Sequence, residues 1–179
     1  MKTLTFTLLV PVAICTAFAA EPLQPPVNSA KVSLIAAAGS PVKGDLTLQS
    51  EGYGVLIRGE ITGLNPGEEH GFHLHEVGEC ALPDFSSAGG HFNPTRSPHG
   101  GPESESSHLG DLPNLEADES GRATVEVMVD GATLEDKYGS PNQLLGKALV
   151  VHALPDDYKT QPSGGSGDRI ACGVIGSRG

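Results

Sequence analysis

The stretch GFHLHEV, residues 71–77, indicates both the fold and the chemistry of this chain. Successive residues of a β-strand point to opposite faces, so His73 and His75 share one face while Phe72 and Leu74 share the other. The apolar pair suits a protein core, whereas two imidazoles about 7 Å apart along one face can converge on one metal ion. The stretch therefore predicts a strand with a core side and a metal-binding side.

His70 comes directly before this strand, beside the acidic residues Glu68 and Glu69. A single histidine near a strand is more often a hydrogen-bonded surface or half-buried residue than a ligand, and His70 is out of phase with the two histidines that follow. We therefore predict that His70 is not a metal ligand.

Other segments of the chain have the composition and alternation of short strands, and Gly, Pro, Asn and Asp residues separate them. A chain of 179 residues can form one domain with a real core. Short strands with many turns favour an antiparallel sandwich or barrel. The predicted strands are Lys31–Ala38, Gly44–Ser50, Tyr53–Thr62, Gly71–Val77, Ala123–Asp130, Lys147–Ala153 and Arg169–Ile175.

Two stretches interrupt this rhythm, at residues 78–111 and 155–168. Loops of this length are uncommon in compact domains and are usually functional or disordered. The first loop carries His91, His99 and His108, and a disordered segment would not require these histidines. We therefore expect this loop to be ordered by something that it binds.

The first nineteen residues have the features of a secretory signal peptide. Lys2 is followed by a short apolar run that ends at Ile14, and the small residues of an Ala-Phe-Ala cleavage signal end at Ala19. The run is too short to span a bilayer comfortably, so no membrane span is expected. Cys15 follows Ile14 rather than a small residue, which argues against lipidation. Residues 20–30 are predicted to be a flexible, Pro-rich lead-in, and residues 31–179 the folded domain.

The cysteines and the net charge narrow the function further. Loss of the signal peptide leaves two cysteines, Cys80 and Cys172. In an oxidising compartment they can form one intramolecular disulfide. The alternative is that both are buried free thiols. The formal net charge of −11 and the pI near 4.9 argue against nucleic acid or an anionic membrane as a partner. The charge is expected to keep the protein soluble.

Six histidines and Asp111 remain as candidate metal ligands. Imidazole suits zinc and copper, and a histidine-rich set with one carboxylate suits Zn²⁺. The residues alone predict one or two metal sites with nitrogen and oxygen ligands, and leave open which metals bind and how the ligands divide. The six histidines are His73, His75, His91, His99, His108 and His152.

Six motifs occur in the order seen in copper–zinc superoxide dismutases, which the chain resembles from about Lys31 to Gly176. The segment HEVGEC and the longer run to His91 look like the exported bacterial branch of that family, which together with the leader implies a periplasmic location. The motifs are GFHLHE (71–76), GGHFNP (89–94), HGGP (99–102), HLGDL (108–112), LVVHA (149–153) and RIACGVIG (169–176).

This resemblance implies an all-β fold, an eight-stranded antiparallel Greek-key barrel or sandwich with long metal-binding and electrostatic loops. It also implies one copper and one zinc per chain, with His91 bridging the two ions. Seven ligand residues fill two four-coordinate sites only if one is shared. The implied copper ligands are His73, His75, His91 and His152, and the implied zinc ligands are His91, His99, His108 and Asp111.

The implied activity is the dismutation of superoxide to dioxygen and hydrogen peroxide. Copper would change its oxidation state, zinc would not, and His91 would pass a proton as a general acid. Arg169 would supply local positive charge for the anionic substrate beside the copper. The resemblance further implies a Cys80–Cys172 disulfide and an Asp156 carboxylate that links His73 to His99.

Two other functions remain to be weighed. A non-catalytic copper-binding or delivery protein on the same fold should lack Arg169 or a copper histidine, or carry an added domain with a CxC-type motif, and this chain does neither. A purely structural sandwich would have no use for the histidine set.

Lys159 could help to attract substrate, although an ordinary solvated lysine is the simpler interpretation. Monomers and homodimers both occur in the family.

Overall fold

A computed structural model of the chain describes residues 28–134 and 139–177, and the predicted signal peptide lies outside the described residues. These residues form ten strands and one short 3₁₀ turn at Ser86–Ala88. The strands are β1 Ser29–Ala36, β2 Lys43–Glu51, β3 Gly54–Thr62, β4 Glu69–His70, β5 Phe72–His75, β6 Leu115–Glu116, β7 Arg122–Asp130, β8 Ala148–His152, β9 Arg169–Val174 and β10 Gly176–Ser177.

All seven predicted strands are present, and the prediction of an all-β, antiparallel fold is confirmed. Their ends lie within two residues of the predicted ends; β5, for example, ends at His75 rather than at Val77. The two-residue strands β4, β6 and β10 were not predicted, because two residues are too few to show a periodic pattern. No helix among the described residues has the length and hydropathy that a membrane crossing requires.

The main sheet contains eight strands in the order β5-β8-β9-β1-β2-β3-β7, with β10 paired to β1. Strand β3 pairs with β7 rather than with its successor in sequence, which is a Greek-key type of connection. Strand β1 belongs to both halves of the sheet: residues 29–34 pair with β2, while Ile35 and Ala36 pair with β9. The sheet therefore curls at β1 and encloses a core between its halves.

The core consists of the inward-facing residues of both halves. In β1, Val32 and Leu34 are buried while their neighbours are exposed, and β7 alternates in the same way through Val125. Leu46 from one half and Phe72 from the other belong to one cluster of buried side chains. Burial of each such large apolar side chain contributes roughly 1.5–3 kcal/mol to stability.

Strands β5 and β8 differ from the others because every residue in them is buried. Phe72 and Leu74 of β5 face the core, and the loop of residues 78–111 covers the opposite face. Phe85 in that loop packs against Val150 of β8 and Cys172 of β9. The two histidines of β5 are therefore enclosed between the sheet and the loop.

Candidate metal centre

Three backbone segments meet at one point on β5 and bring distant residues together. Leu74 accepts a hydrogen bond from Phe92 N–H at 2.8 Å, Phe92 accepts one from Gly110 N–H at 2.9 Å, and Gly110 accepts one from Leu74 N–H at 2.9 Å. A Cβ on Gly110 would lie 2.4 Å from the Leu74 carbonyl oxygen, so this close approach requires glycine. This ring fixes the loop against the strand.

The candidate ligands flank the members of this backbone ring. His73 and His75 lie on either side of Leu74, His91 precedes Phe92, and Asp111 follows Gly110. Isolated β-bridges join His73 to Asp111 and His75 to His91. Hydrogen bonds between backbone groups thus bring together ligands that are up to 38 positions apart in the sequence, from 73 to 111.

The first cluster consists of four buried histidines whose ligand atoms all lie within 4.8 Å of one another. Each has one buried ring nitrogen without a hydrogen-bond partner among the described residues. A buried polar atom without a partner is unfavourable, and four such atoms in one place fit a single metal ion as their common partner. The atoms are His73 Nδ1, His75 Nε2, His91 Nε2 and His152 Nε2.

The opposite ring nitrogens of this cluster are held by oxygen acceptors. His75 Nδ1–H donates to the Gly89 carbonyl at 3.0 Å, and His152 Nδ1–H donates to the Gly167 carbonyl at 3.2 Å. His73 Nε2–H donates to Asp156 Oδ2 at 2.8 Å. Because these acceptors keep the protons on the outer nitrogens, the inner nitrogens present lone pairs that fit a metal ion.

Burial keeps His73, His75 and His152 neutral at pH 7. It lowers the pKa of His75 to about 2 and that of His152 to about 3. Burial also lowers the pKa of His73 to about 4, although the hydrogen bond to Asp156 acts in the opposite direction. A neutral imidazole is the form that binds a metal ion, so these three rings need no deprotonation at neutral pH.

The second cluster consists of His91, His99, His108 and Asp111, and all four are buried. The Nδ1 atoms of the three histidines lie 2.8, 3.0 and 3.0 Å from a single oxygen, Asp111 Oδ1. Three imidazole nitrogens and one carboxylate oxygen gathered in this way fit a four-coordinate Zn²⁺ ion.

The backbone holds the Asp111 carboxylate in its charged form. Its other oxygen, Oδ2, accepts hydrogen bonds from the N–H groups of Gly100 at 3.1 Å and His108 at 2.8 Å. Burial alone would raise the pKa of Asp111, but the hydrogen bonds from His91 and from these two amides outweigh it and hold the pKa well below its usual range. The residue therefore offers an ionised ligand oxygen to the cluster.

His91 is the residue that the two clusters share. Its Nε2 is one of the unpartnered nitrogens of the first cluster, and its Nδ1 lies 2.8 Å from Asp111 Oδ1 in the second. One imidazole ring thus joins the clusters, and the bridging role that the family resemblance implies for His91 stays a prediction. Which metal each cluster binds stays a prediction.

Asp156 connects the clusters by a second route. Its Oδ2 contacts His73 Nε2 at 2.8 Å and its Oδ1 contacts His99 Nε2 at 3.0 Å. Gly164, with φ at +68°, lies directly over this carboxylate, where a Cβ would come within 1.7 Å of Asp156 Oδ1. The predicted link between His73 and His99 is therefore present in the geometry.

Arg169 lines a cleft of about 400 Å³ that opens onto His75, His91 and His152. Its guanidinium donates to the carbonyls of Phe85 at 2.6 Å and Gly89 at 2.7 Å. Burial lowers the pKa of Arg169, while the nearby Asp84 acts to raise it, and a guanidinium remains charged at neutral pH.

Among the described residues that line the cleft there is one opposing charge and no lysine. Glu76 also lines it, and its Oε1 accepts a hydrogen bond from Gly90 N–H at 3.1 Å. Lys159 is exposed and lies outside the cleft. Pro162 and Ser163 are the residues of the same segment that form part of the cleft wall. This position favours the interpretation of Lys159 as an ordinary solvated lysine.

The structure contains the Cys80–Cys172 disulfide, which excludes the alternative of two free thiols. The bond ties the start of the long loop to β9, close to Phe85 and Ala88. The carbonyls that hold Arg169 belong to this same tethered part of the loop.

His70 belongs to neither cluster, as predicted, but the expected surface or half-buried position is wrong. The residue is 1% exposed, and its Nδ1–H donates to the His152 carbonyl at 2.8 Å. It lies in β4, which pairs with β6 through His70 and Leu115. The acidic neighbours Glu68 and Glu69 suggested an exposed segment, so the burial of His70 could not be predicted from the sequence.

Comparisons with known proteins cover both clusters and Arg169. The sequence model for copper/zinc superoxide dismutase (SODC) matches residues 42–175. Superoxide dismutase (Cu-Zn) 1 of Aquifex aeolicus is 49% identical over 125 residues, which are 68% of this chain and 73% of that protein. The Cu-Zn superoxide dismutase of Caulobacter vibrioides is 44% identical over 135 residues, 74% of this chain and 77% of that protein.

Solved structures agree with this relationship. A SOD-like protein from Bacillus subtilis has a TM-score of 0.72 and 40% sequence identity, with 81% of this chain and 97% of that chain covered. The chain belongs to the copper/zinc superoxide dismutase family.

Proposed function

We propose that this protein catalyses the dismutation of superoxide, 2 O₂⁻ + 2 H⁺ → O₂ + H₂O₂. The first cluster, His73, His75, His91 and His152, would hold copper. The second cluster, His91, His99, His108 and Asp111, would hold zinc. The observation that carries the proposal is the shared His91 ring, whose two nitrogens face two complete four-ligand sets.

When bound, copper supplies a one-electron redox couple, and zinc supplies a fixed positive charge. The chain's own residues have three tasks around these ions. Asp156 holds the rings of His73 and His99 in fixed orientations, because each donates an Nε2–H to it. The carbonyls of Gly89 and Gly167 do the same for His75 and His152.

His91 is the residue best suited to carry a proton to the peroxide product. Its Nε2 borders the cleft and has no protein partner among the described residues, while Nδ1 stays on the Asp111 side. An imidazole nitrogen in this position can hold a proton and donate it to a product oxygen as a general acid.

Arg169 is proposed to attract and orient the anion. Among the described residues that line the cleft it is the cationic side chain, and two backbone carbonyls hold its guanidinium in place. Small anions are drawn into clefts with concentrated positive charge even when the protein as a whole is acidic.

The competing candidate is a copper-binding or delivery protein without catalysis. Its support is the similarity to a Bacillus subtilis protein that is named only SOD-like. Against it, all seven ligand residues are present and Arg169 lines the cleft. The two candidates differ in one measurable property, which is turnover of superoxide by the copper-loaded protein.

The test is dismutase activity of the zinc-loaded protein during a copper titration. Activity should rise to a plateau at one copper per chain. Stoichiometric copper uptake without activity would contradict the enzymatic proposal and favour the copper-delivery candidate.

The proposed location is the periplasm, with residues 1–19 removed as a signal peptide and the folded domain beginning near residue 31. The leader-like composition and the Cys80–Cys172 disulfide, which forms in oxidising compartments, support this. N-terminal sequencing of the protein from a periplasmic extract should find a mature chain that begins at Ala20. An intact N-terminus in the cytoplasmic fraction would contradict export.

A further inference from the structure

The segment of residues 155–168 contacts His99 of the second cluster through Gln161, a residue that no sequence motif marks. Gln161 Oε1 accepts a hydrogen bond from His99 N–H at 2.9 Å, and Gln161 Nε2–H donates to the His99 carbonyl at 2.9 Å. One amide side chain thus satisfies both backbone polar groups of a buried histidine. This reciprocal pair fixes the backbone of His99 much as a neighbouring strand would.

The same segment makes further contacts with Gly101, in the loop of residues 78–111, and with Asn114, three residues after that loop. Tyr158 Oη accepts a hydrogen bond from Asn114 N–H at 2.8 Å, and its ring packs on Gly101. Asn114 and Asp156 form a second reciprocal pair, at 2.9 and 3.0 Å. These contacts hold Asp156 independently of Gln161, so the glutamine has a distinct role at His99.

Gln161 also stands directly before the wall of the cleft. Pro162 and Ser163, the next two residues, line the cleft that opens onto His75, His91 and His152. The side chain of Gln161 therefore connects a ligand of the second cluster with the entrance to the first.

We infer that Gln161 is a positioning residue that couples occupancy of the second metal cluster to the placement of the cleft wall. The effect of Gln161 on catalysis rests on the proposed function, whereas its effect on metal binding at the second cluster does not. Loss of the clamp should let His99 move away from Asp111 more easily and let Pro162 and Ser163 move with it.

The test compares Gln161→Leu with the parent protein after loading with Co²⁺ as a probe of the second cluster. Leucine keeps most of the volume of glutamine and removes both hydrogen bonds. The visible d–d absorption of bound Co²⁺ reports its ligand geometry, and release to a chelator reports how firmly it is held. We expect an altered absorption spectrum and release faster by on the order of tenfold, as the loss of two hydrogen bonds predicts.

Amide hydrogen exchange supplies the readout for the cleft wall. Exchange at Ser163 and Gly164 should become faster in the cobalt-loaded Gln161→Leu variant. Gln49→Leu is the matched control, because Gln49 is an exposed glutamine on β2 and outside the segment. Gln161→Glu keeps an acceptor for His99 N–H but cannot donate while ionised, so its release rate should be intermediate.

Release and exchange equal to those of the parent in both Gln161 variants would overturn the inference. A parent protein that takes up Co²⁺ yet shows no dismutase activity with copper would overturn the proposed function and leave the clamp in place. A parent that binds no Co²⁺ at this cluster would overturn both.

Discussion

At the residue scale, the centre depends on which nitrogen of each imidazole carries the proton. In the first cluster, Asp156 and the carbonyls of Gly89 and Gly167 each hold the outer nitrogen of one histidine. His91 differs because neither of its nitrogens contacts a carbonyl or a carboxylate outside the two clusters. The Nε2 of His91 is therefore the position in the first cluster that can take up a proton, while the outside acceptors keep His73, His75 and His152 in one tautomer.

Arg169→Ala is expected to lower the rate of superoxide dismutation by about tenfold or more at low ionic strength, with both metals retained. The substitution removes the positive charge of the cleft and touches no ligand, and local charge of this kind raises association rates by 10 to 10³. The rate should be measured by stopped-flow as a function of ionic strength, with metal content determined in parallel.

Glu76→Gln provides the matched variant for this prediction, because Glu76 is the opposing charge in the same cleft. Its removal should raise the rate at low ionic strength. Glu79→Gln removes an exposed charge that does not line the cleft and should leave the rate unchanged. Equal rates for the parent and Arg169→Ala at low ionic strength would refute the role of Arg169 in attracting substrate.

At the scale of elements, strands with one buried face could be predicted from the sequence, and contacts between loops could not. Strand β7 shows its alternation of buried and exposed residues in the residue types alone. Gln161 has no such signal, because its partner His99 is 62 positions away and the contact exists only once both loops are folded. The candidate metal ligands stand out in the sequence because few other arrangements use so many histidines, whereas the prediction of how they divide between two sites required the family resemblance.

Replacement of both cysteines, Cys80→Ser with Cys172→Ser, is expected to lower the free energy of unfolding of the metal-free protein. The chain-entropy model gives about 4 to 5 kcal/mol for a closed loop of this length. Urea unfolding of the oxidised parent and the double variant measures the difference.

The same variant should also lose dismutase activity, because the tethered loop supplies the two carbonyls that hold Arg169. The parent protein treated with a reductant is the control, and it should resemble the double variant in both properties. Equal free energies of unfolding in the oxidised parent and the variant would show that the bond does not stabilise this fold.

At the scale of the whole molecule, an acidic protein must accept an anionic substrate. The net charge of −11 is spread over the chain, whereas Arg169 lies inside the cleft. At physiological ionic strength the Debye length is about 8 Å, so distant surface charges are largely screened at the cleft. The local cation therefore has more influence on substrate entry than the net charge.

The metal-free protein as a whole should lose stability as the pH falls from about 6.5 to about 4. Burial lowers the pKa of His73 to about 4, of His152 to about 3 and of His75 to about 2. In the unfolded chain these residues bind protons near pH 6.5, so the unfolded state holds more protons throughout this interval. The free energy of unfolding should therefore decrease on acidification, and these groups should give no slope above pH 7.

Each of the three histidines should contribute a slope of about 1.4 kcal/mol per pH unit, approached at pH values well below 6.5. Urea unfolding of the metal-free protein between pH 7.5 and pH 4.5 measures this slope. His152→Gln keeps a neutral polar side chain and removes one titrating group. The slope of its free energy of unfolding against pH should therefore be smaller by the contribution of one proton. A free energy of unfolding that stays constant between pH 7 and pH 5 would mean that the buried histidines already accept protons in the folded state, and that the first cluster is more open to water than its burial indicates.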